Sequence, residues 1–129
     1  MIGLEEMAHK KCFELSDGQL QRVMIARALA QDTNVIMLDE PTTHLDLHHK
    51  VQILKLLQKI ARETDKTILF TSHEIELSIQ LCDKMLLMNT DAYSFGTPNE
   101  LIEMGAFASL FPSDTVTFNS ETRTFQING

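Results

Sequence analysis

Four consecutive apolar residues, Val35–Leu38, are followed directly by two carboxylates and a proline, Asp39, Glu40 and Pro41. A strand that is apolar at every position is typical of a parallel sheet, in which both faces are covered. Parallel strands need crossover connections, usually helices, so this segment predicts an α/β fold. Ligands of open α/β sheets bind at the carboxyl ends of the strands. We therefore expect the two carboxylates to lie in a binding site.

The rest of the chain alternates between patterns typical of strands and of helices. Strand, helix, strand, helix, strand predicts βαβ crossovers and a parallel sheet. The expected elements are a short helix within 2–13, a helix over 18–31, a strand over 34–39, a helix over 47–63, a strand over 66–71, a helix over 74–82, a strand over 84–89, an edge strand over 92–96, a helix over 99–104, and a terminal hairpin from 115–118 and 123–127.

Composition excludes several classes of protein. The 129 residues are 43% hydrophobic and suffice for about one domain. A net charge of −7, from 11 basic and 18 acidic residues, argues against a partner made of nucleic acid. Two cysteines without CxxC spacing favour free thiols in a reducing compartment. Since no apolar run approaches the ~20 residues of a membrane span, we expect a cytosolic protein without direct membrane insertion.

The carboxylate pair has a natural chemical interpretation. Asp39 could hold Mg²⁺ through water, because Mg²⁺ keeps most of its hydration shell. Glu40 could orient or deprotonate a water molecule. The alternative is a pair of solvated loop acids, which the buried strand before them disfavours.

A second candidate site is the start of the helix over 18–31. Ser16, Gly18 and Gln19 stand where unpaired backbone N–H groups and partial positive charge favour an anion. A plain helix cap by Ser16 or Asp17 is the alternative, and taken alone it is favoured.

Histidines supply the third and fourth candidates. His73 follows the second strand and could donate to a phosphate oxygen or relay a proton, although a loop or capping histidine is more common. Asp46 is a plausible cap of the helix over 47–63. His44 and His48 beside it have metal-ligand spacing, but the start of that helix already explains the segment.

Taken in order, these segments resemble the ATP-binding cassette (ABC) family of ATPases. LSDGQLQR is similar to the family signature, VIMLDEP to its Walker B strand with the catalytic glutamate, THLD to its D-loop, and TSHE to its switch histidine. The resemblance covers roughly residues 2–104. Four motifs in the order and spacing of the family are improbable by chance.

The resemblance implies ATP and Mg²⁺ as cofactors and a role for each residue at the strand ends. Asp39 matches the residue that holds the Mg²⁺ shell, and Glu40 matches the general base or water-orienting group. His73 matches the γ-phosphate contact. These roles agree with phosphoryl transfer, in which catalysis is mostly positioning and charge stabilisation.

The resemblance also implies a second, identical ATPase subunit. Ser16, Gly18 and Gln19 match the residues that grip the γ-phosphate of a nucleotide on the opposite subunit, and Asp46 matches the loop that crosses the dimer interface. Asp17 stands where the family usually has glycine. We expect its carboxylate to face away from the phosphate, since like charges repel.

One motif of such an ATPase is absent from this sequence. None of the five glycines begins the phosphate-binding GxxxxGK[ST] motif, Walker A. We therefore expect a partial P-loop NTPase-like parallel sheet with flanking helices, lacking the Walker A half, plus a short C-terminal β-hairpin. The expected parts are the end of the helical subdomain with the signature helix (1–31), the Walker B to switch-histidine core (32–104) and a C-terminal extension (105–129). Such a chain alone is expected to bind ATP weakly or not at all.

Two functions are consistent with the motifs. The segments are most similar to ATPases that import iron–siderophore complexes, haem or cobalamin, which implies a transmembrane permease as partner at the inner face of the cell membrane. Phe95–Pro98 with Glu100 and Leu101 fits the G-x-P-x-E-L segment of those subunits. The alternative is a translation- or chromosome-associated ABC ATPase, which the acidic charge disfavours.

Overall fold

A computed structural model describes residues 2–129. The chain divides into two compact units, Met1–His73 and Glu74–Gly129. The helices are α1 (Asp17–Ala30), α2 (Leu47–Thr64), α3 (Ile75–Leu81) and α4 (Pro98–Glu103), and the strands are β1 (Val35–Leu38), β2 (Thr67–Phe70), β3 (Met85–Met88), β4 (Tyr93–Gly96), β5 (Val116–Asn119) and β6 (Thr124–Ile127).

The first unit contains one β1–α2–β2 crossover. Strands β1 and β2 are parallel, and their register places Val35 opposite Thr67 and Leu38 opposite Phe70. Helix α2 begins at the cap residue Asp46 and joins the two strands. Both strands therefore end at the same edge of the sheet, which confirms the predicted α/β arrangement for this pair.

One face of this sheet carries the core of the first unit. Helix α2 buries its apolar residues together with Ile25 of α1, while Leu38, Ile68 and Phe70 of the sheet pack against them. Side chains alternate between faces along a strand, so Met37 points to the other face, where it is 73% exposed. The buried residues of this cluster are Ile25, Ile53, Leu57 and Ile60.

The second unit has two antiparallel pairs, β3 with β4 and β5 with β6. Its core includes Ile79 of α3, Leu101 of α4 and Phe107 of the 3-10 helix Ala106–Ser109. The ring of Phe107 stacks on Phe118 of the terminal hairpin at 4.9 Å between centroids. The hairpin thus shares the core of this unit, while the predicted three-part division of the chain stays a prediction.

Two expectations about the elements need correction. Strand β3 pairs antiparallel with β4 rather than extending the parallel ladder of β1 and β2. The segment 2–13 contains no α-helix but two short 3-10 turns, Glu5–Met7 and Cys12–Glu14. Each 3-10 turn is three residues long, which is common for this helix type. None of the helices within residues 2–129 combines the length and apolar character needed to cross a membrane.

Candidate functional site

The candidate site lies where the parallel strands β1 and β2 end. Asp39 and Glu40 follow β1, and Thr71 and His73 follow β2. The backbone N–H of Thr71 donates to the carbonyl of Leu38 at 3.1 Å, which extends the contact between the strands by one step. The fold therefore brings two of the predicted segments together at one edge of the sheet.

Glu40 and His73 form the central contact of this site. The Nε2 atom of His73 lies 2.5 Å from Oε1 of Glu40. The side chains are 87% and 38% exposed for His73 and Glu40, respectively. A contact so accessible to water is worth at most about 1 kcal/mol. The contact holds both side chains at the strand ends. Because it is weak, either side chain can exchange it for a contact with a ligand or a water molecule at a small cost in free energy.

Asp39 is held by the hydroxyl of Thr71. Thr71 Oγ1 donates to Oδ1 of Asp39 at 2.6 Å, and the exposed carboxylate stands at the end of the sheet. Mg²⁺ binds oxygen ligands, keeps several waters, and often uses only one or two carboxylates of the protein. The oxygen donors at this strand end therefore fit a hydrated Mg²⁺.

Two residues of this site were missed by the sequence reasoning. Thr71 also accepts a hydrogen bond from the backbone N–H of Glu40 at 2.9 Å. Thr43 Oγ1 donates to Oε2 of Glu40, also at 2.9 Å. Both threonines lie within the motifs described above, but the sequence analysis predicts no function for either. The sequence does place a hydroxyl residue in each of two segments that we expect at the same edge of the sheet.

The signature segment forms a capping box at the start of α1. The Ser16 hydroxyl accepts from the Gln19 N–H at 3.2 Å, and the Gln19 side chain accepts from the Ser16 N–H at 3.1 Å. This arrangement satisfies orphan donors at the helix start. The capping interpretation is thus realised in this structure, and phosphate binding by Ser16, Gly18 and Gln19 stays a prediction.

His49 lies beside the start of α1 and is bound by Asp46. Asp46 Oδ1 accepts from the His49 N–H at 2.9 Å, and its Oδ2 lies 2.7 Å from His49 Nδ1. These contacts hold the pKa of the Asp46 carboxyl below its usual value, the backbone hydrogen bond being the larger cause and the ring contact the second. A Cβ added to Gly18 would lie 3.3 Å from Cδ2 of His49, so glycine leaves room for that ring.

Hydrogen bonds between side chains connect α1 with α2. Arg22 Nη2 donates to Oε1 of Gln52 at 3.2 Å. The Gln52 amide nitrogen lies 2.9 Å from Nε2 of His48. Arginine only donates, so the Gln52 atom that Arg22 contacts is the amide oxygen. The amide nitrogen of Gln52 also only donates, so Nε2 of His48 accepts its hydrogen bond. These contacts engage His48 and His49 with an amide and a carboxylate, and within residues 2–129 no cluster of three or more His, Cys, Asp or Glu residues has metal-binding geometry.

Comparison with known sequences shows which proteins the chain resembles. The family model described as "ABC transporter" matches residues 1–43. An uncharacterised ABC transporter ATP-binding protein of Methanocaldococcus jannaschii is 36% identical over 98% of this chain and 44% of its own length. The achromobactin transport ATP-binding protein CbrD of Dickeya dadantii is 40% identical over 87% of this chain and 42% of its own length. The chain is similar to ABC transporter ATP-binding proteins over most of its length.

Other ABC proteins are similar to this chain as well. The iron(3+)-hydroxamate import ATP-binding protein FhuC of Bacillus subtilis is 38% identical over 87% of this chain and 42% of its length. A metal-chelate type ABC transporter solved in an inward-facing conformation has a TM-score of 0.79 and 34% identity, over 85% of this chain and 44% of that one.

A further solved structure shows an ABC protein with its reaction products. This dimeric ATP-binding cassette in a post-hydrolysis state is bound to ADP and Pi. It has a TM-score of 0.58 and 33% identity, over 70% of this chain and 40% of that one. The present chain therefore spans less than half the length of the ABC proteins it matches.

Proposed function

We propose that this chain supplies the signature, the catalytic carboxylates and the switch histidine of an ABC ATPase that energises solute import. The observation that carries the proposal is the contact of Glu40 with His73 at the ends of two parallel strands, beside the carboxylate of Asp39. A base, an imidazole and a carboxylate that suits Mg²⁺ are the groups that hydrolysis of a phosphoanhydride requires.

Each residue has a distinct role in this proposal. Asp39 holds Mg²⁺ through water, and bound MgATP supplies the phosphoryl group to be transferred. Glu40 orients the attacking water and accepts its proton. His73, whose Nε2 already contacts Glu40, donates to a phosphate oxygen and so limits the positions that the water can take. The weak exposed contact between the two residues lets both turn toward the substrate.

The signature segment serves a second nucleotide in this proposal. Ser16, Gly18 and Gln19 stand at the start of the 14-residue helix α1, where backbone N–H groups and the helix dipole favour an anion. They would contact the γ-phosphate of ATP held mainly by an identical subunit, with Asp46 at the interface between the two. The dimeric cassette with bound ADP and Pi described above supports this arrangement.

The solute is proposed to be an iron complex or a similar chelate. The relatives CbrD and FhuC carry names of achromobactin transport and iron(3+)-hydroxamate import. By analogy, a transmembrane permease would be the partner, and the protein would act at the inner face of the cell membrane. These transport relatives favour an importer over a translation- or chromosome-associated ATPase.

A chimera tests the proposed ATPase directly. This chain would replace the matching part of the D. dadantii protein CbrD, and ATP turnover would be measured with and without Mg²⁺. We expect Mg²⁺-dependent turnover that Glu40→Gln reduces by at least about a hundredfold while MgATP binding persists.

Glu63→Gln is the matched control, since Glu63 forms an exposed pair with Lys59 on α2, away from the strand ends. Equal turnover in the Glu40 and Glu63 variants would reject the role of Glu40.

The chain by itself is expected to bind MgATP weakly or not at all. Its sequence contains no GxxxxGK[ST] segment to wrap the phosphates. Isothermal titration of the 129-residue chain with MgATP measures this directly, with the active chimera as positive control. Tight binding by the chain alone would contradict the expectation.

A further inference from the structure

The hydroxyl of Thr71 contacts both residues of the carboxylate pair. It donates to Oδ1 of Asp39 at 2.6 Å and accepts from the N–H of Glu40 at 2.9 Å. Its orientation is fixed by chemistry, because a carboxylate accepts and a backbone N–H donates. One side chain after β2 thus contacts two successive residues of the turn after β1.

The turn that Thr71 holds is an unfavourable one. Glu40 has a φ of 43°, in the left-handed region that is unfavourable for a residue other than glycine. Such a conformation persists only where surrounding contacts hold it in place. The Thr71 hydroxyl supplies one such contact by accepting the Glu40 N–H.

The Glu40 carboxylate is then held at both of its oxygens. Oε1 contacts His73, and Oε2 accepts the hydroxyl proton of Thr43 at 2.9 Å. The two hydroxyls therefore act on different groups: that of Thr43 contacts the Glu40 carboxylate, whereas that of Thr71 contacts the Glu40 N–H and Asp39. The backbone N–H of Thr43 also donates to the Glu40 carbonyl, at 3.1 Å.

We propose that Thr71 is the positioning residue of this site, which aligns the Asp39 carboxylate with the Glu40 backbone so that Glu40 faces His73. The inference rests on the proposed function, since the aligned groups are those assigned to Mg²⁺ and to the attacking water. Thr71 acts through Asp39 and Glu40. Removing its hydroxyl should therefore slow turnover without weakening nucleotide binding.

Hydrogen exchange of the Glu40 amide tests the alignment in the 129-residue chain. Thr71→Val keeps the shape of the side chain but removes the hydroxyl, and Thr71→Ser keeps the hydroxyl. We expect the Glu40 amide to exchange at least about tenfold faster in Thr71→Val, because its intramolecular hydrogen bond is lost, and near the parent rate in Thr71→Ser.

The exchange experiment has a matched control and a second variant. Thr67→Val makes the same change on an exposed threonine at the other end of β2 and should leave the Glu40 amide unaffected. Thr71→Ala removes the same hydroxyl and serves if Thr71→Val does not fold. Unchanged exchange in a folded variant without the hydroxyl overturns the proposal.

Steady-state kinetics of the chimera test the consequence for the reaction. We expect Thr71→Val to lower kcat by roughly ten- to a hundredfold, with KM for MgATP changed less than about twofold, and Thr71→Ser to recover most of the loss. A raised KM with an unchanged kcat overturns the positioning role.

Failure of the proposed function is distinguishable from failure of this inference. A chimera without Glu40-dependent turnover rejects the ATPase proposal, and exchange of the Glu40 amide then decides by itself whether Thr71 fixes the turn. A chimera in which Glu40→Gln abolishes turnover but Thr71→Val leaves kcat unchanged rejects the inference alone.

Discussion

His73 and Glu40 contact each other through Nε2 and Oε1, 2.5 Å apart, across the ends of two parallel strands. If His73 contacts phosphate during turnover, His73→Ala should lower kcat of the chimera by about a hundredfold with little change in MgATP affinity. Turnover and equilibrium binding measure the two effects separately. His9→Ala, at an exposed histidine near the start of the chain, is the control. An unchanged kcat would remove His73 from the mechanism.

Asp46 should impose a defined pH dependence on stability. Hydrogen bonds from His49 lower the pKa of its carboxyl in the folded state. The ionised form therefore contributes stability above the unfolded value of about 4, and this contribution is lost as pH falls through the lowered folded value. Asp46→Asn keeps a capping oxygen but does not titrate. Its urea midpoint should fall less than that of the parent on acidification.

Asp114→Asn is the control for that measurement, since Asp114 is an exposed aspartate in the second unit. On acidification, the urea midpoint of Asp114→Asn should fall as much as that of the parent. Identical acid profiles for Asp46→Asn and the parent would show that the bonds to His49 are not maintained in solution.

The two thiols should differ in reactivity. Cys12 is exposed, whereas Cys82 is half-buried, and burial raises the pKa of the Cys82 thiol despite a smaller opposing effect of its bond with Ser78. Because the thiolate is the nucleophile, iodoacetamide at pH 8 should modify Cys12 first. Peptide mass spectrometry follows each site. Equal rates in the folded chain, rather than only in urea, would contradict the burial of Cys82.

Phe107 should be the most sensitive aromatic position of the second unit. It is 1% exposed and stacks on Phe118. Phe107→Ala should reduce the free energy of unfolding of this unit by about 3–5 kcal/mol, as for other buried aromatics. Phe107→Leu should cost less because it leaves a smaller cavity. Amide exchange in β5 and β6 reports the loss, and unchanged protection there would show that the hairpin does not depend on this core.

Local patterns predicted the elements well. The helix predicted over 47–63 is observed as Leu47–Thr64, and Asp46 caps it as expected. The strand predicted over 34–39 is observed as Val35–Leu38. These elements are determined by apolar spacing and by a cap next to them in the chain, and both signals are visible without the rest of the fold.

Pairing between strands was harder to predict. Strand β3 reads as apolar throughout, as a parallel strand would, yet it pairs antiparallel with β4. Only a short loop separates β3 from β4, and such a connection suits an antiparallel pair. Loop length was therefore the better guide to this pair than apolar content.

The site was predictable in type but not in detail. Asp39, Glu40 and His73 were expected from their places after strands, and their assigned roles stay predictions. The bonds of Thr71 depend on the register of β1 with β2 and on the φ of Glu40. Neither quantity can be read from a single segment of sequence.

The left-handed backbone at Glu40 has a consequence for protein engineering. Glycine or asparagine would suit that conformation better than glutamate. A library randomised at position 40 and screened for heat resistance should therefore enrich those two residues, whereas the same library screened for turnover should retain glutamate. Two screens of one library would thus select different residues at a single position, and a consensus drawn from stability data alone would remove the glutamate to which we assign the role of base.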